Sequence, residues 1–182
     1  MGWLGSGVLL WSVAHLLKRV APTWRSRMGR AGRPLVALSI IGSVVLMTFG
    51  YQQVDGPVWW VRQSGLVGIN NLLVLVGFYI IASSLTGAHI TRFVRHPQLT
   101  AIKLWAVAHL LVNGDLASLI LFGGLLIWAV LAVVLINRQD ERPVREQRPI
   151  VWVREMGAFS AAIVIYGLVG YAHGMLGYPV HG

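Results

Sequence analysis

Two histidines occupy matching positions in a repeated octamer, and their setting favours chemistry over packing alone. The pattern Leu-Trp-Xaa-Val-Ala-His-Leu-Leu runs over 10–17 and again over 104–111, and the copies differ only at the third position. The copies place His15 and His109 inside apolar segments. An ionisable or metal-binding side chain at membrane depth is costly and needs a partner, so both histidines are candidate functional residues.

A pair of imidazoles in apolar helices suits haem b better than a bare metal ion. Hard cations take oxygen ligands and zinc takes three or four ligands, yet no Cys, Asp or Glu accompanies these histidines. Haem b takes one or two axial imidazoles in an apolar, aromatic-lined pocket. Trp11 and His15 share a helical face at a spacing of i, i+4, as do Trp105, His109 and Asn113. The alternative is that each histidine makes only an interhelical hydrogen bond.

The composition indicates that these histidines belong to an all-α integral membrane protein of one domain, 1–182. Of the 182 residues, 56% are hydrophobic and only 12% are charged, which is far from the composition of a soluble domain. The absence of cysteine excludes disulfides, thiolate metal sites and cysteine nucleophiles. Apolar runs long enough for membrane helices predict a six-transmembrane-helix bundle with spans over about 2–20, 34–51, 65–86, 97–113, 115–136 and 157–174.

The placement of basic residues predicts the orientation of the bundle. They cluster after the first, third and fifth spans: Lys18, Arg19, Arg25, Arg27, Arg30, Arg33; Arg92, Arg95, Lys103; Arg138, Arg142, Arg145, Arg148 and Arg154. Only Arg62 lies elsewhere. By the positive-inside rule these three stretches are cytoplasmic, so both termini are periplasmic in a multi-pass protein of a bacterial inner membrane. Topology therefore explains the net charge of +9, and we expect membrane lipid, not nucleic acid, as a partner.

The connections predict how the two octamers are related. The first octamer lies in an inward-running helix and the second in an outward-running one, as in a 3+3 inverted repeat about an axis in the membrane plane.

Between the fourth and fifth spans, Asn113 and Gly114 can adopt the left-handed conformation that ends a helix, and Asp115 can cap the next helix. Trp59 and Trp60 suit an interfacial belt. Arg95 and His96, just before Pro97, either open the fourth helix structurally or contact a cofactor.

The fourth and fifth spans resemble the signature of the NnrU family. The resemblance is carried by Arg95-His96-Pro97, Lys103-Leu104-Trp105-Ala106, Ala108-His109-Leu110-Leu111, Asn113-Gly114-Asp115-Leu116-Ala117-Ser118 and Leu121-Phe122-Gly123. It extends over the whole chain, with weaker similarity outside this signature. The resemblance implies a small bacterial inner-membrane protein associated with denitrification and the handling of nitrite and nitric oxide.

The same resemblance implies haem b with His15 and His109 as its ligands. The NnrU family includes the 15-cis-zeta-carotene isomerase of plants and cyanobacteria, which is similar in its Arg-His-Pro and Trp-Xaa-Xaa-Ala-His elements and uses histidine-ligated haem b. That enzyme also has a cysteine where this chain has Ala106, so ligand exchange through a thiolate is excluded here. Two expectations follow. The first is a haem protein of nitrogen-oxide metabolism that acts in redox, sensing or maturation, with nitric oxide as its partner. The second is a haem-dependent cis–trans isomerase whose partner is a hydrophobic polyene. A third, a membrane methyltransferase that shares Arg-His-Pro, lacks the polar and acidic residues that hold its cofactor.

Overall fold

Six long helices form the protein in the computed structural model, which describes residues 1–141, 149–178 and 180. Short helical turns at Pro22–Arg27, Gly29–Ala31 and His89–Arg92 lie in the connections. Part of the predicted basic loop after the fifth span, with Arg142, Arg145 and Arg148, lies outside the described residues. The long helices are α1 (Gly2–Val20), α2 (Gly32–Gln52), α3 (Ser64–Thr86), α4 (Pro97–Val112), α5 (Leu116–Gln139) and α6 (Trp152–Met175).

Four of these helices are long and apolar enough to cross a membrane. They are α2 with the turn before it, α3, α5 and α6. Helix α4 is apolar but has only 16 residues, and α1, with 19, is not among the four. The described residues contain no strand, and their one β-bridge, between Val58 and Asp115, is isolated. The all-helical class and its membrane-helix character are therefore confirmed.

The six predicted segments are all helical, but two helices extend beyond their apolar runs. Helix α5 continues from the predicted end at 136 to Gln139, and α6 begins at Trp152, five residues before the predicted start. Hydropathy locates only the apolar part of a helix, whereas backbone hydrogen bonding continues through polar turns. At the start of α6, Glu155 accepts a hydrogen bond from the His89 backbone amide, and a carboxylate in a first turn is favoured by the helix dipole.

Contacts between helix ends show that the helices alternate in direction. Arg19 at the end of α1 bonds Asp140 after α5, and we call this end of the bundle the basic end. At the opposite, distal end, the Tyr51 hydroxyl of α2 lies 2.8 Å from the Ser118 hydroxyl of α5. From one side to the other, the helices pack in the order α2, α1, α5, α4, α3, α6. Helix α5 therefore lies between the two helices that carry the octamers.

Glycines allow the helix backbones to approach closely at the crossings of α1. At the α1–α2 crossing, a Cβ on Gly7 would lie 2.8 Å from the Met47 backbone nitrogen. At the α1–α5 crossing, a Cβ on Gly124 would lie 2.6 Å from a Val8 methyl group. Small residues at such crossings permit the close packing that associates membrane helices. These contacts fix α1 against α5 and so set where His15 lies.

The tight connection between α4 and α5 confirms one expectation and overturns another. Asp115 caps α5, accepting from the Ser118 amide at 2.9 Å and from the Ser118 hydroxyl at 2.7 Å. The prediction that α4 ends in a left-handed backbone conformation is wrong, because Asn113 is extended and the φ angle of Gly114 is not positive. The Asn113 side chain instead donates to the His109 carbonyl at 2.9 Å, and the Asn113 backbone amide donates to the same oxygen at 2.9 Å. The Trp60 indole donates to the Leu110 carbonyl in the last turn of α4 at 2.9 Å.

Candidate functional site

His15 lies in an aromatic cluster between α1 and α5. Leu4, Val8, Trp11 and His15 recur every three or four residues of α1, so they form one stripe. The His15 ring centroid lies 4.1 Å from that of Trp11 and 5.0 Å from that of Trp128 on α5. The two tryptophans meet edge to face at 5.5 Å. The predicted pairing of Trp11 with His15 is therefore present, and α5 completes the cluster.

His109 lies in a second aromatic cluster, between α4 and α5. Its ring is 5.0 Å from that of Trp105 and stacks on Phe122 at 4.5 Å, with an interplanar angle of 29°. Phe122 belongs to a π-helical stretch of α5, Leu119–Gly123, where the backbone winds more widely than in an α-helix. Such single-turn π-bulges frequently mark functional sites. The wider turn presents Phe122 to the histidine.

The imidazole rings of both histidines are fixed by the same kind of hydrogen bond. The Nδ1 atom of His15 is 2.9 Å from the Trp11 carbonyl, and that of His109 is 2.9 Å from the Trp105 carbonyl. A carbonyl oxygen only accepts, so Nδ1 carries the proton and a neutral ring keeps its free lone pair on Nε2. Neither Nε2 has a protein partner within the described ranges. A hydrogen bond from Nδ1 to a carbonyl is the arrangement by which proteins fix the tautomer of a metal-ligating histidine.

Two indole N–H groups beside His15 also have no acceptor. The Nε1 atoms of Trp11 and Trp128 are buried without a hydrogen-bond partner in the part of the chain that the structure describes. Trp128 is only 5% exposed. A buried donor without a partner costs about 1–3 kcal/mol, and native structures contain few of them. Both of these donors lie in the cluster around His15.

Arg95 and His96 lie at the basic end, away from His109. Arg95 donates to the Asp140 backbone carbonyl at 3.0 Å, and the His96 Nε2 atom is 2.9 Å from the Asn137 side-chain oxygen. Asp140 also accepts two hydrogen bonds of 2.7 Å from the Arg19 guanidinium, which lower the pKa of this carboxyl. These residues tie α1 and α4 to the end of α5. A cofactor contact by Arg95 or His96 stays a prediction.

The structure adds aromatic residues that sequence reasoning missed. Trp128 and Phe122 contact the two histidines from α5, which carries no octamer and no histidine. Phe122 lies within the NnrU-like signature, so the sequence could have indicated it as a site residue. Trp128 is one aromatic residue in an apolar run, and nothing in the sequence distinguishes it. Helices α3 and α4 also enclose an apolar, half-open cleft of about 90 Å³ beside Trp105, lined in addition by Val74, Gly77, Phe78, Ile81, Ala101 and Ile102.

Comparison with known families accounts for nearly the whole chain. The model of the family described as NnrU protein matches residues 3–180. The chain belongs to the NnrU family. The match includes both octamers and α5, so the two histidine clusters lie within the family domain. No curated protein and no solved structure matches this NnrU chain.

Proposed function

We propose that this NnrU protein is a haem-b-binding membrane protein of nitrogen-oxide metabolism, in which His15 and His109 would hold the haem iron. The observation that carries the proposal is that both rings have the same tautomer. In each ring the Nδ1 proton is donated to a backbone carbonyl, so the Nε2 lone pair is free to coordinate iron. Membership of the NnrU family supports the association with nitrogen oxides.

The residues around the histidines fit haem better than a bare metal ion. Among the described residues, no group of three or more His, Cys, Asp or Glu side chains could hold an ion. Haem needs only one or two axial imidazoles, with apolar surroundings for the macrocycle. Trp11, Trp105, Trp128 and Phe122 supply those surroundings. The two unpartnered indole donors suit a group that brings acceptor atoms, as the carboxylates of haem b do.

The protein residues have defined roles in this proposal. The carbonyls of Trp11 and Trp105 hold each imidazole in one orientation, so little side-chain entropy is lost when Nε2 coordinates. The aromatic rings around the histidines exclude water, which raises the energetic effect of nearby charges. When bound, haem b supplies a one-electron redox centre and an iron that binds nitric oxide.

A second candidate function is cis–trans isomerisation of a hydrophobic polyene such as a carotenoid. The apolar cleft between α3 and α4 favours it, because the cleft is half-open and is lined by Trp105, which packs on His109. A long apolar molecule could therefore reach the second histidine cluster laterally from lipid. Ala106 replaces the cysteine of the isomerase, so this reaction would depend on the histidines alone.

The proposal includes a location and a topology. The four long apolar helices support a membrane protein. We place the protein in a bacterial inner membrane, with α1 and α4 also spanning, the basic end cytoplasmic and both termini periplasmic, because the basic loops meet at one end of the bundle. The two octamers then lie in antiparallel helices, as the inverted repeat requires.

The visible spectrum of the detergent-purified protein, oxidised and reduced, tests the proposal. We expect a Soret band with sharp reduced α and β bands, which His109→Ala removes and His15→Ala shifts. Nitric oxide should displace one ligand and change the reduced spectrum, whereas conversion of a cis-polyene by the reduced protein would favour the isomerase. A colourless protein after haem-supplemented expression, or bands that neither substitution alters, would contradict haem ligation.

A further inference from the structure

Six basic side chains lie in and beside the connection between α1 and α2, and no acidic residue accompanies them along the chain. We call this group the α1–α2 basic surface: Lys18, Arg19, Arg25, Arg27, Arg30 and Arg33. The sequence has no Asp or Glu before Asp55, so any negative charge near this surface comes from another part of the molecule or from outside it. The proposed function does not use these residues.

Within the residues that the structure describes, a single carboxylate is paired with this surface. Asp140, just after α5, accepts two hydrogen bonds of 2.7 Å from the Arg19 guanidinium, one on each of its oxygens. None of the other five cations forms an ion pair in the described part of the chain. Lys and Arg side chains only donate hydrogen bonds, so these five remain available to an external acceptor.

The connection turns away from α1 and leaves most of its cations open. The chain departs from the α1 axis at Ala21, whose φ and ψ angles of −132° and 63° are not helical. The exposed arginines are Arg27, Arg30 and Arg33. Arg25 is partly buried, because its guanidinium lies over Gly32 at the start of α2, where a Cβ would collide with it. The missing side chain at Gly32 therefore lets Arg25 lie against the start of α2.

Exposed apolar residues beside these cations indicate that the surface lies at the membrane boundary. Val20 is 67% exposed and Trp24 is 65% exposed. Trp152, which opens α6 at the same end of the bundle, is 72% exposed. Tryptophan is enriched where the membrane meets water. A soluble polyanion bound here would leave Val20 and Trp24 in water, whereas lipid would cover them.

We propose that the α1–α2 basic surface binds the headgroups of anionic phospholipids in the leaflet next to the basic end. Charge complementarity carries the proposal, since cations without an ion pair meet phosphate groups that arginine can bind through two N–H donors. Phosphatidylglycerol carries a net negative charge and phosphatidylcholine carries none, so the surface selects the first. This inference does not depend on haem, and it assigns the expected lipid contact to one surface and one headgroup charge.

Native mass spectrometry of the full chain in detergent tests the surface, with phosphatidylglycerol and phosphatidylcholine of the same acyl chains titrated in turn. Each basic residue near an anionic membrane surface strengthens attachment about fivefold. We expect the parent protein to bind phosphatidylglycerol at least about tenfold more tightly than phosphatidylcholine. Arg25→Gln/Arg27→Gln/Arg30→Gln should remove this preference, and Arg25→Lys/Arg27→Lys/Arg30→Lys should keep it because the charge is unchanged.

Arg92→Gln/Lys103→Gln/Arg154→Gln is the matched control, because it removes the same charge from other connections at the basic end. It should retain the preference, and circular dichroism shows which variants keep the helix content of the parent. A control that loses as much preference as the first variant would mean that net charge acts without this surface, which would overturn the proposal.

Two further outcomes concern the occupant. Equal affinity of the parent for the two lipids would overturn the proposal without any variant. Inorganic phosphate or a single-stranded oligonucleotide that binds more tightly than phosphatidylglycerol would also overturn it, because the surface would then serve a free anion or a nucleic acid. Haem-free and haem-loaded protein should give the same lipid preference, so failure of the proposed function leaves this test intact.

Discussion

The close crossing of α1 and α2 predicts that Gly7 tolerates no side chain. A Cβ at this position would lie 2.8 Å from the Met47 backbone nitrogen and 3.0 Å from the Ser43 carbonyl oxygen. Backbone atoms cannot turn aside as a side chain can, so α1 must shift. Overpacking of this kind costs about 1–3 kcal/mol. For a chain of this length, that cost corresponds to a Tm roughly 2–12 °C below that of a variant with an alanine that meets no clash.

Gly5→Ala is the matched control, because a Cβ there meets nothing within 4 Å on the same helix. Thermal unfolding of both variants in one detergent, followed by far-ultraviolet circular dichroism, compares them directly. Alanine favours helix over glycine by about 1 kcal/mol, so Gly5→Ala should match or exceed the parent protein in Tm. A Gly7→Ala variant as stable as Gly5→Ala would refute the close crossing and, with it, the placement of α1.

Three further changes have expected outcomes. Asp115→Ala removes the cap on the Ser118 amide and should lower stability by about 0.5–2 kcal/mol, measured by thermal unfolding; an unchanged Tm would contradict the cap. Trp60→Phe loses the hydrogen bond that the indole donates to the end of α4 and should cost about 0.5–1.5 kcal/mol by the same assay; no loss would mean that solvent replaces this bond. The pKa of Asp140 is lowered in the folded protein by hydrogen bonds from Arg19, so its contribution is present at neutral pH and lost as the pH falls through that lowered value. The difference in Tm between the parent and Asp140→Asn should therefore shrink on acidification, and a difference independent of pH would exclude this ion pair as its source.

Much of the fold was predictable because lipid imposes strong rules on sequence. Apolar runs identified all six helices, and the Asp115 cap followed from a local side-chain pattern. The ends of α5 and α6 were misplaced because polar turns continue a helix beyond its apolar run. The form of the α4–α5 turn was missed for a different reason: the Trp60 indole donates a hydrogen bond to Leu110 near the end of α4, fifty residues away in sequence. No local pattern contains that contact.

The candidate site was predictable where the sequence repeats and not where helices meet. The octamers identified Trp11 with His15 and Trp105 with His109, because residues four apart share a helical face. The partners on α5 depend on which helices become neighbours and on a π-helical stretch that hydropathy does not reveal.

The haem content of the purified protein tests the central claim most directly. We would determine the ratio of haem b to polypeptide by the pyridine haemochrome assay after haem-supplemented expression. The parent and the His89→Ala control should both hold about one haem per chain, and His109→Ala should hold at least about tenfold less, because a lost ligand cannot be compensated by apolar neighbours. A parent protein without haem, or a His109→Ala variant that binds as much as the parent, would contradict the account.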